Sequence, residues 1–359
     1  MHVPDGFLDV PTSLATGAIA VGAVGLALRR SEAELRASGP ALPGLLAAFI
    51  FATQMVNFPV GAGTSGHLIG GTLAAVLVGP WTAVLVMTVV LIVQALLFAD
   101  GGLSALGTNV TLLAIVAVLV GWLTTRALLR LLPRRATSVV PAATLGAFLS
   151  VPAAAGVFTL LYAAGGTIDI SLTALAGAMI GWHAVIGIGE AAITAAIVGA
   201  VVATRPDLIY AVRDARSELV LVEADGTRST VPAEQAAAEV TRPRGARGVL
   251  AVGGLITLIV AGGLSLLASA HPDGLEFVGE QLGFAEAGQA SAAEVSPFAE
   301  YGLSGVPELF GTSIAGLVGA LATLAVALLL AWLVAGQRRR SAEAGTRPAG
   351  DQVRAGRGA

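Results

Sequence analysis

Long apolar runs, separated by short polar or Gly/Pro-rich stretches, fill most of the chain. A membrane-spanning helix needs about 20 mostly apolar residues, fewer where a segment enters without crossing. Nine runs approach that template: residues 11–28, 41–58, 67–78, 81–98, 109–132, 139–163, 172–203, 248–268 and 309–335. The third is the shortest and is ended by Gly79-Pro80. The pattern predicts an all-α integral membrane protein: a polytopic bundle of seven helices, then a two-helix C-terminal module.

The arginines give an orientation. Arg29, Arg30 and Arg36 follow the first run, and Arg130, Arg134 and Arg135 the fifth. Arg205, Arg213, Arg242, Arg244 and Arg247 lie between the seventh and eighth, and Arg338, Arg339 and Arg340 follow the ninth. With nine crossings all four clusters fall on one side, which the positive-inside rule makes cytoplasmic. The amino terminus is then expected outside and the carboxyl terminus inside, in a multi-pass membrane protein.

The polar stretches divide the chain further. We expect a membrane domain over 1–206, a cytoplasmic linker over 207–247, the two-helix module over 248–336 and a disordered cytoplasmic tail over 337–359. The linker holds ELVLVEADGTRSTV, a hairpin pattern around Asp225-Gly226. The outside loop 271–308 carries Asp273, Glu276, Glu280, Glu286, Glu294, Glu300 and Glu308 and no arginine. Such a loop concentrates cations; equally, it is what the exclusion of arginine from an outer face leaves behind.

Composition narrows the chemistry. Hydrophobic residues make up 55% and charged residues 12%, with mean hydropathy +0.84, against roughly 25% charged in soluble chains. Without cysteine there is no disulfide and no thiolate ligand. Every basic side chain is arginine, so a Walker A lysine and a Schiff base are excluded. The small net charge of −3 argues against nucleic acid as a partner. No positive stretch precedes the first apolar run, so the start is not read as a signal peptide. Met1 is expected to stay, because methionine is trimmed only before small residues.

Four histidines remain: His2, His67, His183 and His271. A free amine on Met1, the next amide nitrogen and the His2 imidazole would close fused five- and six-membered chelate rings. An all-nitrogen set favours Ni(II) or Cu(II), with Co(II) behind them; a terminal histidine of no consequence is the plain alternative. His67 stands in NFPVGAGTSGHLIGG, where glycines permit irregular backbone, tolerated at membrane depth only if it is buried or lines a cavity. It is a candidate fourth nitrogen, or a histidine bonded at a helix start. His183 precedes Glu190 by seven residues, nearly two turns, which places both on one face. That pair reads as a polar clamp between helices, a second shell or a transit point. Asn57, Gln54 and Gln94 read the same way, and Asp100 as a loop turn. His271 opens HPDGLE at the outer end of the eighth run, a collector of metal or an exposed loop residue. In the first run, Ala18 with Gly22 and Ala23 with Ala27 have small-xxx-small spacing for close helix packing.

Taken together, MHVPDGFL, NFPVGAGTSGHLIGGTLAAVLVGPW, VLIVQALLFADGGLSALGTN and HAVIGIGEAAIT resemble the CbiM/NikM family. Those are substrate-specific membrane components of energy-coupling factor transporters for cobalt and nickel. SAHPDGLEFVGEQLGF and SPFAEYGLSG resemble the small PDGLE-type component, CbiN/NikN, here fused to the larger one. The resemblance implies an N-terminal loop inserted into the bundle, with Met1, His2 and His67 holding Co2+ or Ni2+ through four nitrogens. It leaves His183, Glu190, Asn57 and His271 as candidates to support the ligands or to line the path of the ion. It also implies a membrane-embedded partner like CbiQ/NikQ, ATP-binding partners like CbiO/NikO, and no catalytic activity in this chain.

Two other classes compete. A proton-coupled secondary transporter wants carboxylates within helices, and Glu190 is the clear one. A membrane enzyme would use His67 and His183, but no nucleophile or carboxylate pair supports it.

Overall fold

A computed structural model describes residues 1–133, 135–213, 218–222, 228–232 and 246–345. In chain order the elements begin with α1 (Val10–Ser38), α2 (Ala41–Gln54), β1 (Phe58–Gly61), β2 (Thr64–Gly66) and α3 (Gly71–Val78). Then come α4 (Pro80–Phe98), α5 (Leu106–Leu131), α6 (Ala136–Gly165) and α7 (Leu172–Thr204). A strand pair, β3 (Glu218–Val222) and β4 (Arg228–Pro232), is followed by α8 (Ala246–Gly262), the short α9 (Gly274–Leu282) and α10 (Glu308–Gly345).

Seven of these helices are long and apolar enough to cross a membrane; α2 is shorter. The third expected run differs most. Its first four residues, 67–70, form an irregular strap and only eight coil as α3; just before it, β1 and β2 pair as an antiparallel hairpin. The glycines explain the break. Gly61, Gly63 and Gly70 all adopt positive φ, which a helix cannot contain. Hairpin, strap and α3 together return the chain across the bundle, because α3 ends beside the end of α1. There Gly79 (φ 94°) starts α4 against Glu34, whose carboxylate accepts Trp81 N–H and Thr82 N–H.

The ends of the elements gather in two groups. Residues 1–9, the β1–β2 hairpin, the 99–105 loop, the start of α7 and the segment around α9 meet at one end. Asp9 N–H donates to Gly165 O, Gly102 N–H to Val3 O, Gln289 N–H to Asp5 O and Ser65 N–H to Pro272 O. At the other end Arg30 lies over Trp81 and the Tyr210 ring lies 5.8 Å from Trp122. Ile209, Ala211 and Val212 are buried there, so the first residues of the expected linker pack against the bundle.

The expected linker hairpin is present as β3 paired with β4, Glu218 opposite Pro232 and Val222 opposite Arg228; its turn at Asp225-Gly226 lies outside the described residues. The tail was expected to begin at 337, but α10 continues to Gly345; 346–359 lie outside the described residues. Helices α8 and α10 pack on α2, and Gly319 sits where a Cβ would strike the Phe51 ring. In α1, Ala27 is buried, whereas Ala18 and Gly22 face outward. The close approach instead uses Gly17, which Gly107 of α5 touches backbone to backbone.

Candidate metal centre

The first nine residues run inward as an extended strap before Asp9 caps α1 by accepting Thr12 N–H at 2.9 Å. Asn109 pairs with this strap as a strand would, accepting Val3 N–H at 2.7 Å and donating to Val3 O at 3.0 Å. Asp5 takes the amides of Leu103 and Ser104 at 3.1 and 2.7 Å. Both partners lie on or beside the 99–105 loop, which is bracketed by π-helical turns at Gln94–Phe98 and Val110–Val116. Such turns recur at functional sites.

This pairing buries Met1 and His2 against His67. The Met1 amine lies 2.5 Å from His67 Nε2, and the rings of His2 and His67 stack at 5.1 Å with 12° between planes. His67 is held in turn. Its Nδ1 meets Leu68 O at 3.0 Å. Glu190 of α7, fully buried, accepts Ile69 N–H at 2.5 Å and Gly70 N–H at 2.9 Å. Gln54 of α2 donates to Ile69 O at 2.8 Å. Side chains therefore satisfy the N–H groups of Ile69 and Gly70 and the carbonyls of Leu68 and Ile69, as non-helical chain at membrane depth requires.

Two carboxylates touch the cluster. Asp273, the N-cap of α9, places Oδ2 2.8 Å from the Met1 amine and 3.8 Å from His67 Nε2. Burial opposes its charge, but the adjacent amine and His67 hold its carboxyl well below the usual range. Asp100 places Oδ1 3.0 Å from His2 Nδ1 and accepts Tyr301 O–H through Oδ2 at 2.5 Å. Burial again opposes ionisation, yet His2 and the Tyr301 hydroxyl hold the Asp100 pKa at about 2. Burial and the neighbouring Asp100 charge push the Tyr301 phenol well up.

A cavity of about 10 Å³, enough for one water-sized sphere, is lined by Met1, His67, Val151, His183, Ile186 and Asp273. His183 donates Nδ1–H to Met179 O at 2.8 Å, and its Nε2 is buried without a hydrogen-bond partner, as is His2 Nε2. Among the described residues no three His, Cys, Asp or Glu side chains group as a metal would require. The nitrogen cluster depends on a main-chain amine.

Of the sequence candidates, Met1, His2 and His67 converge, and His183 lines the adjoining cavity. Glu190 serves the strap and not the cluster itself. Asn57 and His271 stand apart. Asn57 contributes its carbonyl to Ser269 N–H, while the exposed His271 contributes its carbonyl to Ser65 O–H at 2.7 Å. Asp100, read from the sequence as a loop turn, contacts His2. Asp273, Asn109 and Tyr301 were not singled out; only the paired PDG triplets at Asp5 and Asp273 hinted that two loops share a design.

Residues 2–208 match the family model of the cobalt uptake substrate-specific transmembrane region, CbiM, and residues 247–336 match the PDGLE domain. A chain from Archaeoglobus fulgidus named as a fused nickel transport protein, NikMN, is 32% identical over 92% of this chain and 98% of its own. A chain from Haloquadratum walsbyi named as a metal transport protein is 40% identical over 58% of this chain and 94% of its own. The cobalt transport protein CbiM of Sorangium cellulosum is 33% identical over 58% and 94% respectively.

Proposed function

The chain belongs to the CbiM family of cobalt-uptake transmembrane components, with a PDGLE domain at its carboxyl end, and from that premise we propose that it binds divalent nickel or cobalt and carries it across the membrane as the substrate-binding component of an energy-coupling factor transporter. The observation that supports this reading most directly is the meeting of the Met1 amine with the His2 and His67 rings in one buried cluster. Amine, His2 amide, His2 imidazole and His67 imidazole make four nitrogen donors, a set suited to square-planar Ni(II) and acceptable to Co(II) with weak axial ligands.

The donors must lose their protons to bind, so loading exchanges protons for the ion. His2 Nδ1, the nitrogen that closes the six-membered chelate ring, faces Asp100; loading exchanges that contact for the metal. The end of the molecule that bears the cluster is taken as the outer face, because the arginine-bearing helix ends lie opposite. Transport energy comes from a separate coupling protein like CbiQ/NikQ and from ATP-binding subunits like CbiO/NikO.

Glu190 weighs against proton-coupled transport. Both of its oxygens are engaged by backbone N–H groups of the strap, which leaves it a structural acceptor. The fused layout shared with a relative named for nickel makes nickel the first ion to try. The test is metal content of the purified chain after exposure to nickel or cobalt alone, and uptake by cells with and without the ATP-binding partners. Tight binding of one ion and uptake only with the partners is expected; uptake without any ATPase would overturn the reading.

A further inference from the structure

We infer that Asp273 is the counter-charge which the PDGLE domain lends to the metal cargo, so that the binding site is completed from both halves of the fused chain. The inference rests on the nitrogen cluster being the metal site.

The two oxygens of Asp273 do different work. Oδ1 caps α9, accepting Leu275 N–H at 2.7 Å and Glu276 N–H at 3.0 Å, while Glu276 returns the bond to Asp273 N–H at 2.9 Å. Oδ2 takes no part in the cap and points at the Met1 amine and His67. An N-cap needs one acceptor and is filled as well by Asn or Ser. The second oxygen is therefore surplus to helix capping, and it is buried beside the proposed ligands. α9 is also anchored where this requires: Ser65, two residues before His67, donates its N–H to Pro272 O at 2.8 Å and its hydroxyl to His271 O at 2.7 Å.

Charge explains the need. Burying an ion without a partner is costly, and one deprotonated amide with three neutral nitrogens offsets only one of a dication's two charges. Among the described residues, Asp100 and Asp273 are the carboxylates in contact with Met1, His2 or His67, one from each half of the chain. Before loading, the Met1 ammonium is the positive partner of Asp273; after loading, the ion takes that place. In the empty site Asp273 holds the ammonium whose place the ion takes, so the rate at which loaded metal leaves isolates the counter-charge.

The experiment uses full-length protein loaded with nickel alone, then with cobalt alone, and challenged with excess EDTA. Asp273→Asn and Asp273→Ser keep the cap and remove the charge; Asp273→Ala removes both. All three are expected to release metal at least ~10-fold faster than the parent, a change in the range that partners beyond the direct ligands produce. Release at the parental rate from the Asn and Ser variants, with only Ala faster, would reduce Asp273 to a helix cap and overturn the inference. His67→Ala runs alongside: if it holds metal as well as the parent, the nitrogen site itself fails, whatever Asp273 does.

Discussion

The Met1 amine and His67 Nε2 lie 2.5 Å apart although 66 residues separate them in the chain. The contact forms because Asn109 and Asp5 draw the N-terminal strap inward while Glu190 and Gln54 hold the His67 strap in place. Each support gives a measurable consequence.

His67→Ala removes a donor and leaves the supports of its strap, which act on the backbone of residues 69 and 70. The variant is expected to insert and purify normally, with affinity for nickel and cobalt down by more than ~100-fold, beyond the usual loss for changes outside the ligand set. Metal content of the purified variant decides the matter: unchanged stoichiometry would take His67 out of the site.

A single residue placed ahead of Met1 turns the amine into a peptide amide, which is far less basic and no longer closes the same chelate ring. The amine also sits in a buried pocket with no space for bulk. Metal binding and uptake should both be lost, while a tag after Ala359 should be harmless. The comparison is made at equal expression; full activity with an uncleaved N-terminal extension would exclude the amine as a ligand.

Asn109→Ala deletes both hydrogen bonds to Val3. Val3 O keeps Gly102 N–H, but Val3 N–H is left without its acceptor, and one unpaired buried donor costs about 1–3 kcal/mol. Part of the loss should appear as weaker metal binding, because the strap that carries Met1 and His2 loosens. Titration calorimetry on the variant checks this, and parental affinity would show that the strap is held by other contacts.

Glu190→Gln separates the two transport classes. One backbone N–H of the strap loses its acceptor and meets an amide instead, costing about 1–3 kcal/mol. A lowered unfolding temperature together with weakened metal binding is expected. Loss of uptake with stability and binding intact would instead restore Glu190 as a proton carrier.

Removing everything after Arg213 deletes Asp273, Tyr301 and the helices on α2, but leaves Met1, His2, His67 and the buried segment 209–212. The shortened chain should still take up one ion per molecule, release it faster and support less uptake. Failure to bind any metal would make the PDGLE domain part of the ligand set itself.

Much of this protein was legible without a structure. Apolar length alone located the seven helices that can cross a membrane, because a bilayer forces every backbone polar group to be satisfied within its own segment. The start MHVPDGFL and the run SGHLIGG carried the family resemblance, and with it Met1, His2 and His67 as a set. The glycines around His67 announced irregular backbone. Their count did not say that 58–66 would pair as a hairpin, or that Asp273 would bridge to Ser65 from a segment some two hundred residues away.

The tertiary structure alone assigned the carboxylates. By sequence, Glu190 was the conspicuous charge in a helix and Asp273 one of seven acids in an outer loop. In the fold their roles are reversed. Glu190 is spent on two backbone amides, and Asp273 reaches the amine. Hydropathy and spacing report what a residue must hide from lipid, whereas a carboxylate's role is set by which charge stands opposite it, and that is decided by contacts between segments distant in the chain.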